Sequence, residues 1–191
     1  ELVTRKLEET LSLQSVLPVH YRLLALLRDF RGADLVHYHV IHDGWFGLGA
    51  LPALARRRPS VWTWHDLWPV TGHCMHPMDC PRWQPGCGAC PDLATPFPLR
   101  RDHTAELFAR KRRLYDGLDI DVVVASRWML ERAQRAPLAA GFRLHLIPFG
   151  LDLSLYSPGD RDGARARFGI APDSRVVALR ARYEDVLTGI L

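Results

Sequence analysis

The chain has 191 residues, 48% hydrophobic and 24% charged, with a formal net charge of +4. That length suits one domain or slightly more, at roughly 100–200 residues each, and the composition excludes collagen-like, coiled-coil and disordered classes. No run of about 18 apolar residues is present, so no membrane-spanning helix is expected.

The opening Glu1-Leu2-Val3-Thr4-Arg5-Lys6 has no apolar run after its basic pair, so it does not read as a signal peptide. It also lacks an initiator Met, and Glu1 is not expected to be the natural start. Of the 25 basic residues only Lys6 and Lys111 are lysines. The clusters Arg56-Arg57-Arg58 and Arg110-Lys111-Arg112-Arg113 fall at expected helix ends, where cations suit the helix dipole. They read as solvated faces, and no concentrated basic stripe of the kind nucleic-acid binding needs is present.

In chain order, the first thirty residues read as helical. Leu7, Leu11 and Leu13 make a partial apolar face, and Pro18 opens a second helix that runs to Phe30 and stops at Gly32. Residues 34–41 are dense in β-branched and aromatic side chains and predict a strand. A Leu/Ala-rich helix is expected from Gly44 to Arg57, then a strand from Ser60 to His65. Strand, helix and strand in about thirty residues make a βαβ unit with a parallel sheet.

Residues 66–101 break the rhythm. Prolines recur from Pro69 to Pro98, and all four cysteines fall here. A structureless stretch of that length inside a domain signals function or cross-linking. The alternation then resumes. A helix from His103 to Asp116 has Asp102 as its expected cap, and a buried strand covers 121–125. A helix over 127–136 follows a Ser126 cap, and a strand covers 142–147. Pro148 to Pro158 is a loop, 159–168 a short charged helix, and 174–179 a strand that starts a new unit.

The pattern is an α/β, Rossmann-like, doubly wound parallel sheet. Ligands in such sheets bind beyond the carboxyl ends of the strands. Those ends carry His39, His42, His65, Asp66, Ser126 and Arg127. His37 and His39 share one strand face and are core histidines if a helix covers it. There is no G-x-G-x-x-G, so a dinucleotide dehydrogenase is unsupported.

Cys74, Cys80, Cys87 and Cys90 include one two-residue knuckle, Cys87-Gly88-Ala89-Cys90, of the kind metal sites use. With a reducing cytoplasm expected, a structural Zn²⁺ held by four thiolates is favoured over two disulfides, which allow three pairings. His73 or His76 could replace one thiol. A redox protein using Cys87 and Cys90 would need a low-pKa thiol. Trp62 and Trp64 are expected to pack on the sheet, whereas Trp68 and Trp83 lie in the loop and either cover it or stack on a sugar.

The string Val61-Trp62-Thr63-Trp64-His65-Asp66-Leu67-Trp68-Pro69-Val70-Thr71-Gly72-His73-Cys74 resembles a segment of bacterial family 4 glycosyltransferases, in the subgroup related to colanic acid biosynthesis transferases. Cys80-Pro81-Arg82-Trp83 and Gly86-Cys87-Gly88-Ala89-Cys90-Pro91 continue the likeness. So do residues 34–39, Ala125-Ser126-Arg127-Trp128 and Ile147-Pro148-Phe149-Gly150-Leu151-Asp152.

The resemblance implies a GT-B architecture. Residues 1–150 would form an N-terminal, acceptor-side Rossmann-like domain with the Cys/Pro-rich insertion at 66–101. Residues 151–191 would be the linker and the truncated start of a donor-binding domain. It implies retaining transfer from a nucleotide-sugar to a polysaccharide or lipid-linked acceptor, with no catalytic metal. His65 would touch donor sugar or acceptor near the reacting centre. By their positions at strand ends, Asp66 either orients His65, binds a hydroxyl or caps the loop, His39 and His42 are acceptor-site candidates, and Ser126 with Arg127 forms an anion site or a plain helix cap. The family's first strand, Gly-rich loop and Glu-x7-Glu donor motif are not found, and Phe149 stands where Asn is commoner. The chain is therefore expected to be a fragment, inactive alone. The intact enzyme is expected in the cytoplasm, with residues 110–113 available for peripheral contact with an anionic inner membrane. The competing class is a non-catalytic, zinc-stapled α/β binding module.

Overall fold

A computed structural model describes residues 2–17, 19–42, 45–94 and 97–177. The chain divides into two units, Glu1–Phe149 and Gly150–Leu191.

The first unit is built on four parallel strands: β1 (Val36–His39), β2 (Ser60–Trp64), β3 (Asp121–Val124) and β4 (Arg143–Leu146), in spatial order β1-β2-β3-β4. Residues Tyr38, Trp62, Val122 and Leu144 pair across it in one row. Parallel strands need long crossovers, and helices supply them. α3 (Leu51–Ala55) lies between β1 and β2, α4 (Thr104–Tyr115) between β2 and β3, and α5 (Arg127–Gln134) between β3 and β4. This is the expected Rossmann-like α/β arrangement.

Period-2 alternation divides the sheet into two unlike faces. One carries Tyr38, Trp62, Trp64, Val122 and Val124, all buried, and meets Tyr115 of α4 and Phe142. Trp62 lies edge-on to Trp64, Tyr115 and Phe142 at centroid distances of 5.7, 5.8 and 6.4 Å, a favourable geometry for aromatic pairs. The other face carries His37, His39, Thr63, Asp121, Arg143 and His145. There His37 Nε2 bonds Thr63 Oγ1 at 2.8 Å, and Asp121 accepts from both Arg143 and His145. His37 and His39 are exposed, so they are not core histidines.

Several elements differ from expectation. The predicted helix over Pro18–Phe30 is a 3₁₀ helix, Val19–Leu26, followed by the short α2, Arg28–Gly32. Apolar spacing of three and four suits either helix type, and the sequence does not separate them. The helix expected over Gly44–Arg57 contracts to a 3₁₀ turn, Leu48–Ala50, plus the five residues of α3; Asp43 and Gly44 lie outside the described residues. In α1 (Leu2–Leu11) Leu7 and Leu11 are exposed, and the side chain that buries is Glu8. Its carboxylate accepts from the N–H groups of Ser15, Val16 and Leu17 at 3.1, 2.6 and 2.8 Å, which satisfies the turn after the helix.

The loop over 66–101 is built inward. Trp68 and Val70 are fully buried and Trp83 nearly so. Neither tryptophan is available to stack on a sugar. Lys111 is also buried, against the expectation of a solvated helix end. Its Nζ donates to the carbonyls of Trp68 at 2.6 Å and Thr71 at 2.9 Å, and lies 3.4 Å from the Trp68 ring centroid. The Arg110–Arg113 cluster therefore presents fewer cations than its sequence suggests. Helix α4 starts one residue later than expected, and Asp102 accepts from Thr104 N and Oγ1 instead of capping at the residue next to the helix. Among the described residues no helix is long and apolar enough to cross a membrane.

In the second unit, α6 (Arg161–Arg167) is capped by Asp160, which accepts from Asp162 and Gly163 N–H. The strand expected over 174–179 is absent over 174–177, and its last two residues lie outside the described residues.

Candidate functional site

The carboxyl ends of β1 and β2 bring four of the expected residues together. Register pairs His39 with Thr63, and His65 follows β2 by one residue. His39 Nδ1 and His65 Nε2 share a hydrogen bond of 3.0 Å, with ring centroids 5.3 Å apart. His37 adds a third ring, 4.0 Å from His39.

Both His39 and His65 are exposed. Burial and the neighbouring His39 hold the His65 pKa below the ordinary 6.5, and burial does the same for His37. One nitrogen of the shared bond donates and the other accepts, so the pair does not carry two protonated rings in this arrangement.

Beneath this exposed pair is a buried one. His42 Nε2 meets Asp66 Oδ2 at 2.9 Å, and Asp66 Oδ1 accepts from Trp68 N–H at 2.8 Å. The carboxylate thus fixes the turn after β2 and orients His42. His42 packs against the rings of Trp68 and Phe97. Its Nδ1 is buried without a partner.

Val40, between the two pairs, is held at φ 45°. This is a strained conformation for a β-branched residue, and such strain clusters at functional sites. The Val40 carbonyl accepts from Trp45 Nε1 at 2.8 Å.

Ser126 and Arg127 lie at the end of β3, next to β2. The Ser126 hydroxyl caps α5, accepting from Met129 N–H at 3.2 Å, and Arg127 is exposed. Phe149 was singled out only as a departure from the usual linker sequence. It stacks on His65, with centroids 5.3 Å apart and planes at 24°. No local sequence signal pairs residues so far apart.

All four cysteines are free thiols. They line one small cavity with His73 and Trp83; His76 instead lies against Trp128. Burial raises the thiol pKa values of Cys74 and Cys90, and that of Cys87 to about 11. Burial therefore works against the reactive, low-pKa thiol that the redox reading needs. Among the described residues, no three or more His, Cys, Asp or Glu side chains are gathered closely enough to hold a metal as they stand.

Comparison with known proteins gives this geometry its family. The profile of Glycosyltransferase Family 4 matches residues 4–155. The chain is 35% identical over 91 residues to the putative colanic acid biosynthesis glycosyl transferase WcaC of Escherichia coli (strain K12), covering 44% of the chain and 22% of that protein. It is 38% identical over 165 residues to D-inositol 3-phosphate glycosyltransferase 1 of Catenulispora acidiphila, covering 83% and 32%. It is 28% identical over 153 residues to the D-inositol 3-phosphate glycosyltransferase of Mycolicibacterium smegmatis, covering 78% and 30%. The chain thus spans about a third or less of the length of these relatives. No solved structure matches it. With the profile covering most of its length, the chain belongs to glycosyltransferase family 4.

Proposed function

We propose that this chain is the acceptor-side part of a glycosyltransferase that moves a sugar from a nucleotide-sugar donor to a saccharide acceptor. In this reading residues 1–150 form the acceptor-side domain and residues 151–191 lead into the donor-binding domain. Transfer proceeds with retention at the anomeric carbon and without a catalytic metal. The acceptor is a growing polysaccharide or lipid-linked saccharide of cell-surface or exopolysaccharide synthesis, a choice supported by the likeness to WcaC, described as a putative colanic acid biosynthesis enzyme.

The observation that carries the reading is the exposed His65 ring at the carboxyl end of β2, held between His39 and Phe149. A neutral imidazole there donates to a sugar hydroxyl, or to charge developing on the departing phosphate. His39 fixes the ring through the shared hydrogen bond. Asp66 and His42 hold the turn from below. Arg127, at the edge of β3, faces an anionic or hydroxyl group of a substrate.

In the full-length protein, His65→Ala is expected to lower kcat/KM for sugar transfer by about 10²-fold or more, the scale seen when one preorganised donor is removed, with the thermal midpoint unchanged. Near-normal turnover overturns the assignment.

A further inference from the structure

Four cysteines that share one cavity, and a lysine ammonium buried beside them, call for a single explanation. Cys74, Cys80, Cys87 and Cys90 come from a 17-residue stretch and line a cavity of about 20 Å³, room for about one water-sized body. The backbone is bent hard to bring them there. Cys87 and Ala89 have φ of 62° and 47°, with Gly86 at 142° and Gly88 at 93°. Two non-glycine residues in the left-handed region within one knuckle is a costly arrangement; both knuckle cysteines line the cavity, and the Cys90 thiol donates to the Asp92 carbonyl at 3.0 Å.

Burial alone keeps the Cys74, Cys87 and Cys90 thiols protonated, but two neighbours suit a sulfur that a metal has deprotonated. Gly72 N–H donates to Cys87 Sγ at 3.1 Å. Lys111, from α4, hydrogen-bonds two neutral carbonyls. Burial lowers the Lys111 pKa to about 7, and negative charge on Cys87, Asp66 and Cys74 would oppose that shift. Asp66 already spends its carboxylate on His42 and Trp68. Lys111 stays charged at this depth only beside compensating negative charge, which metal-bound thiolates would supply.

We propose that Cys74, Cys80, Cys87 and Cys90 bind one Zn²⁺ as a tetrathiolate, with Lys111 as its buried counter-cation. Binding replaces four S–H bonds by four Zn–S bonds and releases four protons to solvent. The centre carries charge −2, which Lys111 reduces to −1, and no electron moves. The sulfurs do not stand at ligand distance as they are, so side-chain rotations inside the cavity bring them to about 2.3 Å from one centre. Four soft sulfur donors select zinc over hard cations. With every position filled by protein, the site is structural.

Its place explains its use. Leu67 N–H bonds Met75 O at 3.0 Å, and Thr71 Oγ1 bonds Cys74 O at 2.6 Å. The metal therefore locks the loop that begins at Asp66. This centre goes beyond sugar transfer, and metal content reads it without any activity assay.

The test uses the intact chain purified without added metal or chelator. Elemental analysis should find about one zinc per chain. X-ray absorption should find four sulfurs at about 2.3 Å, and the thiols should resist titration until a chelator removes the metal. Lys111→Met should keep zinc but lose it to a competing chelator at about tenfold lower concentration, the scale of outer-shell effects on metal affinity. Cys80→Ser and Cys87→Ser should abolish stoichiometric zinc. If these variants fail to fold, the wild-type metal count and ligand set still decide. Substoichiometric metal with four freely titrating thiols overturns the proposal. So do disulfides found by mass spectrometry, iron with inorganic sulfide, or a nitrogen- or oxygen-ligated zinc.

Discussion

At the scale of single residues, the shared hydrogen bond between His39 and His65 sets the acid limb of the proposed reaction. His65 acts while neutral. Its pKa is lowered first by burial and then by the positive charge His39 can carry. Activity should therefore fall as pH drops through a value below 6.5. His39→Gln keeps a hydrogen-bonding side chain but removes the like charge. The His65 pKa then rises toward its ordinary value, and the acid limb of kcat/KM in the full-length enzyme moves to higher pH. An acid limb that stays in place shows that His39 does not act on His65. The histidines were legible in the sequence as strand-end residues. Their pairing was not, because it depends on how far β1 is shifted against β2, and only the register of His39 against Thr63 fixes that. Phe149 was hidden for the same reason: its stacking on His65 joins residues 84 positions apart in the chain.

At the scale of elements, the join between the cysteine loop and α4 decides how well the loop is held. Gly72 lies against the first turn of the helix, where a Cβ would stand 2.2 Å from the Thr104 carbonyl oxygen. That neighbour is backbone and cannot swing aside. Gly72→Ala must push the loop off α4, disturbing the Gly72 N–H bond to Cys87 and the Gly88 N–H bond to Thr104 Oγ1. The expected cost is about 2 kcal/mol, typical of overpacking, read as a lower urea midpoint. An unchanged midpoint shows that the loop has room to move away freely. The strands were legible because runs such as Val61–Trp64 and Val122–Val124 suit a buried parallel sheet. The loop was legible only as an irregularity. Its tryptophans read as either covering the loop or stacking on a sugar, and the fold decides for covering: Trp68 lies under Lys111 and Gln14, whose Oε1 accepts from Trp68 Nε1 at 2.7 Å. A lysine inside a basic run reads as a surface charge, and nothing local in the sequence shows that its Nζ reaches the Trp68 and Thr71 carbonyls.

At the scale of the whole molecule, the two units differ in what holds them. Every buried apolar side chain among the described residues lies between Tyr38 and Phe142, so the core belongs to the first unit alone. In the second unit Leu151, Leu153, Leu155, Tyr156 and Phe168 are all exposed, and the described order consists of α6 and local turns such as Arg165 bonding Ala171 and Ser174 carbonyls. A single short helix without an apolar partner is marginal in water. The sequence placed a boundary near residue 150 from a linker-like motif, and the contact pattern divides the chain between Phe149 and Gly150. A shortened chain ending at Phe149 keeps all of that core and the stacking of Phe149 on His65. It should unfold in one cooperative thermal transition and keep its near-ultraviolet tryptophan signal, since Trp62, Trp64, Trp68 and Trp83 all lie within it. Its solubility should exceed that of the 191-residue chain, because the exposed leucines of the second unit are gone. A broad, non-cooperative transition in the shortened chain would show that the sheet needs residues beyond Phe149 to hold its core.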